Sequence, residues 1–187
     1  MRRTAIATAL VALALPAAAE DRPYAGQQDR AVSTLSADDI AALRAGEGWG
    51  LAKPAELNGV PGPAHVLELA DDLALTETQQ GEIRAIFERM QAAAIEVGAA
   101  YIAAERALDA GFASGEMTPQ RLSERLDASA RALAALRQVH LSAHLDTAPL
   151  LTRHQTMTYN RLRGYDAGAG HAQGHTPGHG HGGHAQH

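Results

Sequence analysis

LTETQQGEIRAIFERMQAAAIEVGAAYIAAERALDAG, residues 75–111, decides the fold. Ile83, Phe87, Met90, Ala94, Val97, Tyr101, Ala104 and Leu108 recur in alternating steps of four and three. That is the apolar seam of a helix packed lengthwise on a partner helix. The stretch opens on Leu75-Thr76-Glu77-Thr78-Gln79. Thr76 reads as an N-cap whose hydroxyl accepts the backbone N–H of Gln79, while the Gln79 amide reaches back to the Thr76 N–H. The pattern predicts a helix over 77–109, stopped by Gly111. Thr118-Pro119 starts the next helix, with a seam of Leu122, Leu126, Ser129, Leu133, Leu136, His140 and Ala143 and a stop at Pro149. The short connection between them predicts an antiparallel helical hairpin. Leu151-Thr152-Arg153-His154-Gln155 then repeats the capping pattern and opens a short helix to about Arg163.

The remainder of the chain frames this hairpin. Arg2 and Arg3, the apolar run to Leu15 and Pro16-Ala17-Ala18-Ala19 read as a secretory signal peptide over 1–19, cleaved before Glu20. The apolar run is shorter than a membrane span requires, so no span is expected after cleavage. Of 16 basic residues, two leave with the leader; 14 then face 21 acidic ones, a net charge near −7 with histidine neutral. That balance argues against nucleic acid as a partner. Cysteine is absent, so disulfides, thiol catalysis and thiolate metal sites are excluded. With 2 Phe, 4 Tyr and 1 Trp in an alanine-rich chain, the expected fold class is all-α. Residues 20–35 are polar and aperiodic and read as disordered. Ser36 to Asp39 is a capping box for a short helix ended by Gly46, and 46–63 is a Gly/Pro-rich loop. Pro63 opens a further short helix over 64–73. Residues 62–165 thus form the helical domain, a long hairpin with two short flanking helices. Its core is thin, which predicts a homodimer along an apolar helix face. Residues 166–187 form a low-complexity tail that holds His171, His175, His179, His181, His184 and His187.

The two copies of Leu-Thr-x-x-Gln (Leu75, Thr76, Gln79 and Leu151, Thr152, Gln155), the leader, the missing cysteines and the central hairpin resemble the Spy/CpxP family of bacterial periplasmic proteins. That group includes the zinc-resistance protein ZraP and heavy-metal sensors of the CnrX type. The resemblance covers roughly residues 62–165. It implies a periplasmic location and a hairpin that dimerises into a cradle. It further implies either ATP-independent chaperoning of unfolded client proteins or sensing of stress or metal through a membrane-bound partner. On such a cradle the client surface would include Ile86, Met90, Ile95 and Ile102 with Arg84, Arg89 and Arg106. The same stripes also read as ordinary core or dimer interface, above all at Phe87 and Met90.

His140 and His144 form the sharpest local constellation. At i and i+4 on a helix, two imidazoles share one face and can chelate one ion. Neutral imidazole suits Zn, Ni, Co or Cu. The alternative is a seam histidine with a polar partner beside a solvated one. The CnrX-type sensors imply an early-helix histidine and a carboxylate as further ligands. His65 and Glu68 are the residues here that answer to them, and His stands where those sensors carry Met in the later pair. The histidines of the tail, set among glycines, suit loose binding of divalent transition metals, which allows a metal-buffering role. No enzyme is expected. Leu141 stands where a His-Glu-x-x-His metalloprotease helix has Glu, no serine has a nucleophile context, and no Gly-rich phosphate loop occurs.

Overall fold

Residues 24–165 are described by a computed structural model; residues 1–23 and 166–187, which include the expected signal peptide and the histidine-rich segment, lie outside them. The order is α1 (Ala37–Ala45), α2 (Lys53–Glu56), α3 (Pro63–Glu68), α4 (Glu77–Ala113), α5 (Pro119–Thr147), a 3-10 turn (Ala148–Leu150) and α6 (Arg153–Leu162). The described chain is all-α. Among the described residues, extended pairing is limited to a single bridge between Val32 and Leu35, and no helix is long and apolar enough to cross a membrane.

The two capping motifs take the same backbone shape, with Thr76 and Thr152 both at φ −68° and ψ 158°. They also bond to each other. Gln79 Oε1 accepts the Thr76 N–H at 3.0 Å. Its Nε2 donates to the Leu150 carbonyl at 2.8 Å and to Gln155 Oε1 at 2.9 Å. Gln155 mirrors this: Oε1 accepts the Thr152 N–H at 2.9 Å, and Nε2 donates to the Leu73 carbonyl at 3.2 Å and Gln79 Oε1 at 3.1 Å. The starts of α4 and α6 are therefore pinned together by their own caps.

Helices α4 and α5 pack side by side, with contacts paired in opposite order along them. Buried Ser129 donates to buried Glu105, while Ile86 and Met90 share a cleft with Val139 and Ala143. The buried stripe of α4 (Ile83, Ile86, Ala94, Gly98, Tyr101, Ile102 and Glu105) is wider than the seam read from the sequence. The reason is a second covering layer. Val32, Leu35, Ile40 and Leu43 pack with Ala94, Tyr101, Ile102 and Leu136 in one core cluster. The segment before α1, expected to be disordered over 20–35, is thus ordered over its described part, 24–35. Thr34 Oγ1 donates to Glu105 Oε2 at 2.5 Å, and Asp109 accepts the Ser33 N–H at 2.6 Å. A second cluster, of Val66, Leu73, Leu75, Ile83, Leu151 and Tyr159, lies around the paired caps.

Three boundaries differ from the sequence reading. Helix α4 runs through Gly111 to Ala113 and stops where Gly115 takes φ +69°, a left-handed turn open to glycine. Helix α3 ends at Glu68, short of residue 73. Within the Gly/Pro-rich loop, Pro54 sits in the first turn of the unanticipated α2. That loop is fixed by Trp49, whose indole N–H donates to Asp39 Oδ1 at 2.8 Å and whose ring centre lies 6.0 Å from that of Tyr101. Hydrogen bonds from Ser36 and Trp49 hold the Asp39 carboxyl below the usual carboxylate range.

Replacing Gln155 by Ala removes the reciprocal half of the capping box, the acceptor of the Thr152 N–H, and leaves the Leu73 carbonyl and the Gln79 amide short of partners. Urea denaturation is expected to show a loss of about 2–3 kcal/mol. Gln79→Ala should cost a similar amount, and the double variant less than the sum, because the pair acts as a unit.

Candidate functional site

A cavity of about 800 Å³ opens between the early helices and α4, α5 and the end of α6. Its wall takes Trp49 and Lys53 from the loop and α2, His65 and Glu68 from α3, Phe87 and Met90 from α4, His140 and His144 from α5, and Arg163 and Tyr165 from the end of α6. Of the residues singled out as metal ligands in the sequence, the four that fall among the described residues, His65, Glu68, His140 and His144, therefore line one space. Glu68 is exposed at its rim.

Glu56, at the end of α2 and 9% exposed, is the polar centre of this wall. Its Oε1 accepts from His65 Nδ1 at 2.9 Å. Tyr159 Oη, from α6, donates to Oε2 at 2.9 Å and lies 3.2 Å from Oε1. His144 Nε2 stands 3.9 Å from the same Oε1. Burial and the neighbouring Glu56 charge push the Tyr159 phenol well above its ordinary pKa of 10, so Tyr159 remains a donor.

The hydrogen bonds assign the tautomers. His144 Nδ1 lies 2.9 Å from the Val60 carbonyl oxygen, which only accepts, so Nδ1 carries the proton. In the neutral ring the Nε2 lone pair then points toward Glu56. His65 gives its Nδ1 proton to Glu56, so its Nε2 lone pair faces the Arg163 guanidinium, with Nη2 at 3.4 Å. The His144 ring lies directly on the backbone of Gly62, where any Cβ would collide with it. His140 is 2% exposed and its Nε2 has no hydrogen-bond partner. Burial, and then the neighbouring His144, hold its pKa below the ordinary 6.5.

This donor set suits a divalent transition metal. A ligating histidine normally passes its other N–H to a carboxylate or a carbonyl, as His65 does to Glu56 and His144 to Val60. Yet among the described residues no group of three or more His, Asp or Glu side chains stands, as placed, in an arrangement that holds an ion. Sequence reasoning missed Glu56, Tyr159 and Arg163. Pro54 two residues before Glu56 was the available signal for a helix that presents this carboxylate. The tail histidines 171–187 fall outside the described residues, and His154 is exposed on α6.

The proposed client residues separate into groups. Ile86, Arg89 and Met90 line a groove of about 410 Å³ between α4 and α5, opposite Val139, Ala143 and Asp146. Ile95 is 42% exposed, and Arg84 and Arg106 are also exposed. Ile102 is 3% exposed, packed under Val32 and Leu35, and presents no surface.

Protein-family models, curated proteins and solved structures were all compared with the chain, and none matches it.

In metal-free buffer the folded chain keeps His140 neutral, whereas the unfolded chain protonates it near its ordinary pKa of 6.5. The folded state binds fewer protons at this group, so its contribution to stability is present above about pH 6.5 and lost as pH falls below it. Denaturation measured from about pH 8 to pH 5 should show this decline, and His140→Leu should flatten it. An unchanged slope in that variant would place the dependence elsewhere.

Proposed function

We propose that the chain is a periplasmic, metal-responsive helical protein of the Spy/CpxP type, which binds a divalent transition metal (Zn, Ni, Co or Cu) in the cavity beside Glu56. One observation carries this reading: two imidazoles from different helices, His65 and His144, have their Nδ1 protons fixed by acceptors. Both residues line one cavity together with His140, whose buried Nε2 is unpartnered. A bound ion would supply a positive cross-link between α3 and α5. Around it, His65 and His144 ligate, with His140 as the third imidazole donor; Glu56 orients His65, and Tyr159 holds Glu56 in place. Coupled to a membrane-bound partner, such a site makes a sensor.

A chaperone role is the second reading, and the α4–α5 groove favours it. The groove is apolar along Ile86, Met90 and Val139 and carries Arg89 and Asp146. Weak apolar contact flanked by charge lets an unfolding client bind and leave without ATP. The same face offers Arg89 to Asp146 of a second copy, which suits the expected homodimer.

Calorimetric titration of zinc, nickel, cobalt and copper separates sensing from buffering by the tail. In the full chain with its six tail histidines changed to Asn, one ion per chain is expected. His144→Ala should abolish that binding, and Glu56→Gln should weaken it by about 10- to 100-fold. Binding that vanishes with the tail histidines would leave buffering alone. For the groove, the protein should suppress aggregation of a denatured client at stoichiometric ratio, and Met90→Glu should impair this; a chain inert toward clients removes the chaperone reading.

A further inference from the structure

Arg163 enters the cavity from the end of α6, where it is the C-cap. Its Nη2 lies 3.4 Å from His65 Nε2 and donates to Tyr165 Oη at 3.2 Å. The guanidinium carbon lies 5.6 Å from the centre of the Tyr165 ring. His65 Nδ1 is committed to Glu56, so Nε2 is the atom through which His65 would ligate, and the guanidinium covers it. The protein thus already holds a cation at the ligand face of His65, within the influence of the Glu56 charge.

Two cations cannot share that position, and arginine has no neutral form to retreat to, since it stays protonated throughout the accessible pH range. Arg163 must therefore move when His65 ligates. Its seat is imperfect. The 3.4 Å contact to His65 is long for a nitrogen–nitrogen hydrogen bond, and the buried Nε has no partner. The segment that carries it is a chain-terminal turn of the described structure. Helix α6 is held by Gln155 at its start and by Tyr159 in its middle. Beyond Tyr159 the hold is lighter: Asn160 Nδ2 donates to the Gly59 carbonyl at a long 3.4 Å and the partly buried Tyr165 packs on the second core cluster, and terminal turns open at lower cost than the middle of a helix.

We infer that Arg163 is a built-in competitor of the metal site. Its guanidinium and a divalent cation take the ligand face of His65 in turn, so that occupancy of the site releases the end of α6 through Tyr165. This rests on the metal reading above and deepens it. It accounts for why the donors, though gathered, do not stand ready as a set: the described arrangement is the arginine-held one. It also supplies a route by which the state of a buried cavity is displayed at the surface, next to the histidine tail.

The test uses the full chain with its six tail histidines changed to Asn, as parent and as Arg163→Gln. Zinc affinity is measured by calorimetry. Trypsin cleavage after Arg163 is followed with and without zinc, relative to cleavage after Arg44. Arg163→Gln is expected to bind zinc roughly tenfold more tightly than the parent, the size of a typical coupling between two sites. In the parent, saturating zinc should speed cleavage after Arg163 several-fold. Equal zinc affinity in the two chains, with unchanged cleavage, overturns the inference while leaving the metal site standing. Absence of zinc binding in both chains overturns the metal reading and this inference together. If Arg163→Gln fails to fold by circular dichroism, cleavage of the parent decides alone: protection unaltered by zinc refutes the competitor.

Discussion

Gln79 and Gln155 each close the cap of their own helix and, with the same amide, bond to the other. A primary amide offers two acceptor positions and two N–H donors, and here each is used. Oxygen takes the cap N–H and the opposite amide; nitrogen gives to the opposite oxygen and to a backbone carbonyl, of Leu150 or Leu73. Glutamate could not do this, because a carboxylate has no donors, and asparagine would be too short. The constraint fixes the starts of α4 and α6 relative to each other. With them it fixes the positions of Tyr159 and Arg163, which reach Glu56 and His65 from α6.

Local physics made much of this architecture readable in advance. Caps, Pro at first turns and a seam of alternating fours and threes located α1, α4, α5 and α6 to within a few residues, because each signal depends on neighbours along the chain. What escaped the reading depends on distant partners. Nothing in the spelling of Leu-Thr-x-x-Gln says that one copy will bond to the other. Val32 and Leu35 lie in a polar stretch without periodicity, yet they are buried because α4 leaves a second face open to them. Glu105 breaks the apolar pattern of α4, and its partners, Thr34 and Ser129, come from segments on either side.

The candidate site divides in the same way. His140 and His144 could be paired from helical spacing alone, and His65 from the family resemblance; all three meet at one cavity. Glu56 could not be found so, since it lies in a four-residue helix inside a Gly/Pro-rich loop. Arg163 reads in sequence as one more basic residue at a helix end, a common accompaniment of the helix dipole. Its meaning comes from His65, 98 residues away. Gly62 is the quietest member of the group: it contributes no atom to the chemistry, yet the His144 ring lies where a side chain would be.

The bond from Tyr159 to Glu56 spans 103 positions of the chain, whereas α4 and α5 meet across a short turn. Contacts close in sequence form quickly, and distant ones wait for the loops between them to close. The packing of α4 on α5 can therefore form early, and the cavity only after α6 has docked on the early helices. A molecule caught midway, with α4 packed on α5 and α6 loose, would possess every histidine of the candidate site but no cavity in which they meet. Competence to bind would then be a late acquisition of the folding chain.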